Sequence, residues 1–167
     1  GPQSACRQDF VIEVRGRGGH GARPHNTVDP IAAAAQLVTL IYQAVPRQTD
    51  ARDPVVITIG SIQGGHAPNI IPDVVRLKGT IRSFDQAVSD HARQTVERLC
   101  AGTARAFRAK IVPVFDRLLP GVINPPAVTA NCLESARSLL GNDRVATDHR
   151  HRMGAEDFAD RKSVVYA

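Results

Sequence analysis

Hydrophobic and polar residues alternate along residues 9–15 and 74–84, which is the spacing of half-buried strands. In residues 9–15, Phe10, Ile12 and Val14 lie on one face and Glu13 lies on the other. Residues 55–62, which are rich in β-branched side chains, and residues 110–115 are predicted as two further strands. Because proline cannot donate to a ladder, Pro113 predicts that the last strand lies at an edge of its sheet.

Two segments between these strands have apolar residues at helical spacing. Asp29 followed by Pro30 predicts the beginning of the first helix, and Pro46 predicts its end. Asp85 is suited to cap the second helix. The element order is therefore β-α-β-β-α-β, which predicts an α+β, ferredoxin-like fold: a four-stranded antiparallel sheet with two helices on one face. Arg82 belongs to the polar, open face of that sheet.

The pattern changes near residue 118. Prolines interrupt residues 117–125, and a further helix over 127–140 and a short strand over 144–147 follow. A segment of about 40 residues does not bury a core of its own. We therefore expect a ferredoxin-like domain over residues 9–118 and, over 119–167, a partial α/β segment of a different domain.

Composition limits the classes of partner. The chain has 167 residues, 43% of them hydrophobic, which suits one domain and part of another. Its formal charge is +5, but the arginines are scattered and aromatic residues make up only 4%, so we expect no nucleic-acid partner. No apolar run reaches about 18 residues, so we expect no membrane partner. Three widely spaced cysteines are typical of reduced thiols in a cytoplasmic protein.

The stretch GRGGHGARPH, residues 16–25, contains a match to the dinucleotide fingerprint G-x-G-x-x-G. A cofactor loop must run directly into its helix, whereas here the helix cap comes only at Asp29, so we reject that interpretation. Glycines permit positive φ and close backbone approach, so they can present His20 on a tight loop. A solvated turn is an equal alternative for His20. A zinc pair of His20 and His25 is disfavoured, because no cysteine or acid lies at ligand spacing.

Three other places carry candidate chemistry, each with a structural alternative. Asn69, between prolines, either directs its amide at a ligand or forms an Asx-turn. Arg82 either binds a carboxylate with its guanidinium or is solvated. His149 and His151 are expected in a solvated loop.

Three ordered motifs give the chain a resemblance to the M20 metallopeptidase family, in its amidohydrolase branch of hippurate, N-acyl-amino-acid and indole-acetyl-amino-acid hydrolases. The motifs are GRGGHGARPHNTVDPIAAAAQLV, GSIQGGHAPNIIPDVVRLKGTIRSFD and MGAEDFA. The resemblance implies that residues 9–118 are a ferredoxin-like lid and dimerisation domain inserted into a catalytic domain. Residues 119–167 would be the return of the chain to that catalytic domain.

The resemblance also implies site roles. His20 would reach the active site of a neighbouring subunit and polarise the scissile carbonyl. Asn69, Arg82, His25 and Glu156 would bind substrate, Arg82 through the free carboxylate of the substrate. Glu156 and Asp157 would line the catalytic pocket, and no residue is assigned to metal.

The family's metal-ligand motifs are not found in this sequence, although the intact enzyme would hold two divalent metals, zinc or manganese. We therefore expect a truncated part of a metal-dependent amidohydrolase that hydrolyses N-acyl amino acids, inactive by itself and binding no zinc tightly. The expected partners are a second copy, through the lid sheet edge, and a small N-acyl amino acid. The alternative is a stand-alone, non-catalytic dimerisation or binding module.

Overall fold

The four predicted strands form a four-stranded antiparallel sheet in the computed structural model, which describes residues 3–147, 152–156 and 159. The strands of this sheet are β1 (Cys6–Arg15), β3 (Val55–Gln63), β5 (Val74–Ser83) and β6 (Lys110–Phe115). Their order is β3-β5-β1-β6, and every neighbouring pair is antiparallel. Two short strands, β2 (Gly19–His20) and β4 (Ile70–Ile71), form a separate pair. This order is the ferredoxin-like topology predicted from the sequence.

The two predicted helices are α1 (Pro30–Gln48) and α2 (Gln86–Phe107), and a third, α3 (Pro126–Leu140), follows the sheet. The Asp29 carboxylate accepts hydrogen bonds from the Ile31 and Ala32 amides at 2.8 and 3.2 Å. The Asp85 carboxylate accepts one from the Ala87 amide at 2.6 Å. Both predicted N-caps are therefore confirmed.

The core lies between one face of the sheet and the two helices. Its sheet side is formed by the alternate residues expected there, including Phe10, Ile12 and Leu77, all almost fully buried. Its helix side comes from the following small and branched residues: Ala33, Ala34, Leu37, Ile41, Val45, Ala92, Val96 and Cys100. The opposite face of the sheet was predicted to be polar, but it mixes polar residues, among them Arg82, with exposed valines: Val11, Val56, Val112 and Val114.

Local differences from the predictions have physical reasons. Pro46 does not end α1, which continues to Gln48; a proline in the last turn removes one hydrogen bond without blocking the residues after it. Residues 144–147 form no strand, because a 3₁₀ turn occupies Asn142–Arg144 and the following residues have no regular structure.

Residues at the beginning of β1, and residues just before it, pair with residues that follow β6. The Arg7 amide donates to the Leu119 carbonyl at 2.9 Å and the Leu119 amide donates back at 2.8 Å. The Gln3 amide donates to the Val122 carbonyl at 2.7 Å. The chain therefore enters and leaves the sheet along two adjacent antiparallel segments, next to the predicted domain boundary at residue 118.

Within the described residues, no helix has both the length and the apolar character needed to span a bilayer.

Candidate functional site

His20 and Asn69 lie together at one end of the sheet. His20 pairs with Ile70 in the β2–β4 ladder, and the Gly21 amide donates to the Asn69 carbonyl oxygen at 2.8 Å. The first predicted motif is thus joined to the second by backbone hydrogen bonds. Both site residues are exposed to solvent, so their side chains are presented outward from this tip.

His20 therefore lies in a short strand, which corrects the prediction of a loop. Of the two uses predicted for the glycines around it, close backbone approach is found but positive φ is not, because among the described glycines only Gly65 and Gly141 have positive φ. A Cβ on Gly18 would lie 2.5 Å from the Ile71 carbonyl oxygen, and one on Gly21 would lie 3.1 Å from the Asn69 oxygen. These glycines are required for close approach of two backbones rather than for a left-handed conformation.

Asp73 connects the two segments and was not predicted from the sequence. Its carboxylate accepts a hydrogen bond from the Gly18 amide at 2.8 Å, and its carbonyl accepts one from the Gly16 amide at 2.8 Å. The sequence shows only an acid directly after Pro72, and its contact with the glycine-rich segment depends on the fold. Asp73 holds the backbone on which His20 depends and does not itself need to contact substrate.

The ring of His20 is held in one tautomer. The Ala22 amide donates to His20 Nδ1 at 3.1 Å, so Nδ1 is an acceptor in the neutral ring. The proton of the neutral imidazole then lies on Nε2. The exposed edge of His20 is consequently a hydrogen-bond donor aimed away from its own chain.

His25 lies close by in sequence, in the 3₁₀ turn Pro24–Asn26, and is exposed. The turn is closed by the Thr27 hydroxyl, which donates to the Pro24 carbonyl at 2.7 Å. The structure therefore places His25 on the same end of the molecule as His20 and Asn69.

Arg82 lies at the other end of the sheet. Its Nη1 donates to the Met153 carbonyl at 2.8 Å, and the Ala5 amide donates to the Gly154 carbonyl at 2.9 Å. The first two residues of the third motif, Met153 and Gly154, are therefore attached to the sheet beside Arg82. Glu156, in the same segment, is exposed. Asp157, His149 and His151 lie outside the described residues.

Arg82 differs from Arg76, another arginine of β5, in how its charge is paired. Arg76 Nε donates to the Glu13 carboxylate at 2.9 Å, and hydrogen bonds from Arg15 and Arg76 hold the pKa of Glu13 below its usual value. Within residues 3–147 and 152–156, by contrast, no carboxylate forms a salt bridge with the half-buried Arg82. A guanidinium bonded to a neutral carbonyl retains donors for an anion.

The distance between the two groups follows from the strand register. Arg15 pairs with Val74 at the His20 end of β1 and β5, and Arg7 pairs with Arg82 at the other end. At roughly 3.3 Å per residue, the eight positions from Val74 to Arg82 span about 26 Å. A small substrate cannot contact His20 and Arg82 of the same chain.

The described residues do not fit the two metals that the resemblance implies. No group of three or more histidine, cysteine, aspartate or glutamate side chains comes together anywhere in 3–147, 152–156 or 159. A catalytic zinc needs about three protein ligands, and this part of the chain by itself does not supply them.

Comparison with known proteins identifies the family. Residues 8–107 match the family model described as the M20 peptidase dimerisation domain. The chain is 32% identical over its whole length to hippurate hydrolase of Campylobacter jejuni, of which it covers 44%. It is 34% identical to the N-acyl-L-amino acid amidohydrolase of Geobacillus stearothermophilus, over 95% of this chain and 44% of that protein.

A solved structure agrees with these relatives. It is the Bacillus subtilis YXEP protein, described as a dinuclear metal-binding peptidase of the M20 family, with a TM-score of 0.75 and 25% identity. The match covers 98% of this chain and 39% of that one. The chain spans less than half the length of the curated relatives it matches. It belongs to the M20 peptidase family and contains the dimerisation domain of that family.

Proposed function

We propose that this chain is the lid and part of the catalytic domain of an amidohydrolase that cleaves N-acyl amino acids with a free carboxylate. The reaction adds water across the amide bond and releases a carboxylic acid and an amino acid. Relatives named for hippurate and for N-acyl amino acids support this substrate class.

The separation of His20 and Arg82 is the observation that carries the proposal. Each group has chemistry suited to one part of an N-acyl amino acid: a donor for the amide carbonyl, and a guanidinium for the carboxylate. Because about 26 Å of sheet lies between them, one chain cannot apply both to one substrate. Two copies related by a two-fold axis can do so, His20 of one copy acting beside Arg82 of the other.

His20 stabilises the charge that develops on the carbonyl oxygen. Its Nε2–H is available because Nδ1 is held by the Ala22 amide. As water adds to the carbonyl carbon, the oxygen becomes an oxyanion and this hydrogen bond strengthens. Asn69, joined to the same tip, supplies a side-chain amide for the same oxygen or for the acyl group.

Arg82 binds the carboxylate of the amino-acid part. Its Nη1 is oriented by the Met153 carbonyl, which leaves Nη2 and Nε as a fork of two donors for the two carboxylate oxygens. Glu156 lies on the same segment as Met153 and lines this part of the site, while His25 lines the part contributed by the other copy.

The two copies associate through an edge of the lid sheet. The sheet has two edges, β3 and β6. β6 is six residues long and contains Pro113, whereas β3 is nine residues long and has no proline. An unpaired edge without proline is a template for a second strand, so β3 is the edge that pairs.

A lid chimaera tests this function directly. Residues 8–118 would replace the aligned lid of the Campylobacter jejuni hippurate hydrolase, with both junctions beside the paired Arg7 and Leu119. The expected result is hippurate hydrolysis by the chimaera, lost in His20→Ala although the protein folds and dimerises. A folded, dimeric chimaera whose hydrolysis does not depend on His20 would contradict the proposal and favour a binding module.

A further inference from the structure

Tyr42, on α1, is hydrogen-bonded to the outer edge of β3. The Ile59 amide donates to the Tyr42 hydroxyl oxygen at 2.8 Å, and the hydroxyl donates to the Ile59 carbonyl at 3.5 Å. Tyr42 remains 43% exposed, so its ring stands at the rim of the edge. A helix side chain thus occupies the hydrogen-bonding position that an added strand would use at Ile59.

The same contact defines which β3 residues face outward. In an antiparallel pair, residues alternate between bonding the partner strand and pointing both backbone groups away from it. The backbone amide and carbonyl of Ile59 are hydrogen-bonded to Tyr42 although Ile59 lies opposite Gly79 of β5. Its backbone groups therefore point away from β5. Val55 and Ile57 share this direction by the period of two. Among the described residues, no hydrogen bond to a side chain covers their outward groups.

We propose that Tyr42 sets the register in which a second copy of this chain pairs with β3, confining the two-fold axis to Val56. This proposal rests on the proposed dimer through the β3 edge, and it specifies the register in which the two β3 strands pair. With the axis at Val56, Val55 bonds the partner's Ile57 and Ile57 bonds the partner's Val55. With the axis at Ile57 or Thr58, the ladder requires hydrogen bonds from the backbone of Ile59, and these groups are already bonded to the Tyr42 hydroxyl. The β-bulge between Ile59 and Ser61 disrupts the ladder beyond that point.

The axis position can be measured by cross-linking, because Val56 and Thr58 both lie on the exposed face of β3, opposite the core. Val56 is 39% exposed and Thr58 is exposed, so cysteines there do not disturb the core. Across the proposed axis the two Val56 residues form a non-hydrogen-bonded pair, with Cα atoms about 4.5 Å apart. That distance lies within the roughly 4.4–6.8 Å range of disulfides.

The experiment uses the full chain with Cys132→Ser, since Cys132 is the exposed thiol among the described cysteines while Cys6 and Cys100 are buried. Val56→Cys alone reports the axis at Val56, and Thr58→Cys alone reports the axis at Thr58. A mixture of the two variants reports the axis at Ile57 through the mixed dimer. Light scattering in the presence of reductant measures the dimer independently of any disulfide.

The expected result is that Val56→Cys cross-links about tenfold faster than Thr58→Cys or the mixed pair. That is the upper end of the preference that one hydrogen bond provides. Adding Tyr42→Phe keeps the ring and removes the hydroxyl. It is expected to raise the cross-linking rates of Thr58→Cys and of the mixed pair to within about threefold of the rate of Val56→Cys. A dimer that cross-links best through Thr58→Cys or the mixed pair, or whose products are unchanged by Tyr42→Phe, would overturn the register. A chain that remains monomeric overturns the proposed dimer as well, so the two failures are distinguishable.

Discussion

His20 and Arg82 lie on one sheet but at opposite ends of it. His20 follows the end of β1 at which Arg15 pairs with Val74, and Arg82 pairs with Arg7 at the other end. A lid that carries two halves of a site on its two ends can complete that site only with a second copy. The dimerisation domain is therefore part of the proposed chemistry as well as a means of association.

The tautomer of His20 makes one prediction. In the lid chimaera, His20→Gln places an amide N–H near the position of Nε2, whereas His20→Asn places one near Nδ1. Loss of a donor to an oxyanion typically lowers kcat by about 10²–10³-fold. We expect His20→Asn to show that full loss and His20→Gln to retain about tenfold more activity, with KM little changed in both. Equal activity of the two variants in steady-state kinetics would show that Nε2 is not the donor.

Arg82 is expected to act on binding rather than on the chemical step. Arg82→Ala should raise KM for hippurate by about 10²-fold, because a charged hydrogen-bonded pair is lost. Arg82→Lys keeps the charge but loses the two-donor fork of the guanidinium, so its KM for hippurate should fall between those of the parent and Arg82→Ala. The amide of hippurate, which has no carboxylate, serves as the control substrate. If its KM rises as much as that of hippurate, Arg82 holds the catalytic-domain segment that stands in the chimaera where Met153 stands in this chain, and does not bind the carboxylate.

The close approach at Gly18 makes a prediction about stability. An alanine Cβ there would lie 2.5 Å from the Ile71 carbonyl oxygen, whereas one on Gly60 meets nothing within 4 Å. We expect Gly18→Ala to destabilise the chain by about 1–3 kcal/mol through overpacking. Gly60→Ala should change the free energy of unfolding by less than about 1 kcal/mol. Urea unfolding of both variants measures the difference. Equal stabilities would mean that the β2–β4 pair shifts to accommodate the Cβ with no loss of stability.

The buried Cys100 predicts a pH dependence of stability. Burial, and secondly the charge of Glu97, raises the pKa of the Cys100 thiol from 9.0 to about 12. The unfolded chain therefore releases this proton at a lower pH than the folded chain, so stability falls as pH rises through the window from about 9 to about 12. The maximal slope for one group is about 1.4 kcal/mol per pH unit.

Urea unfolding with reductant at pH 8, 9 and 10 measures that slope. Cys100→Ala should remove this contribution, and Cys132→Ser, at an exposed position, should keep it. Parallel slopes for the parent and Cys100→Ala would show that the thiol ionises in the folded chain as readily as in the unfolded one.

The sheet and its helices could be predicted because each depends on local signals. Alternation identified the core face of β1 and β5, and Asp29 and Asp85 identified the helix starts. The β2–β4 pair could not be predicted, since each strand has two residues and no period can be read from two residues. Their pairing depends on contacts between segments some 50 positions apart in sequence.

The candidate site was predictable as a set of residues but not as an arrangement. His20, Asn69 and Arg82 were identified from motifs, yet no motif shows that Arg82 lies at the far end of the sheet. That fact depends on the antiparallel register. Asp73 was missed for a similar reason, because its role is a contact with the Gly18 amide across the fold.

Mixing His20→Ala and Arg82→Ala chimaeras tests the two-copy site most directly. Each variant alone is inactive at low hippurate concentration. After exchange of subunits, a heterodimer contains one site with an intact His20 and an intact Arg82, and a second site lacking both. Random mixing gives about half heterodimers, so the account predicts recovery of about a quarter of the parent activity. No recovery, in a mixture shown by native mass spectrometry to contain heterodimers, would mean that His20 and Arg82 of one chain serve the same site and would contradict the account.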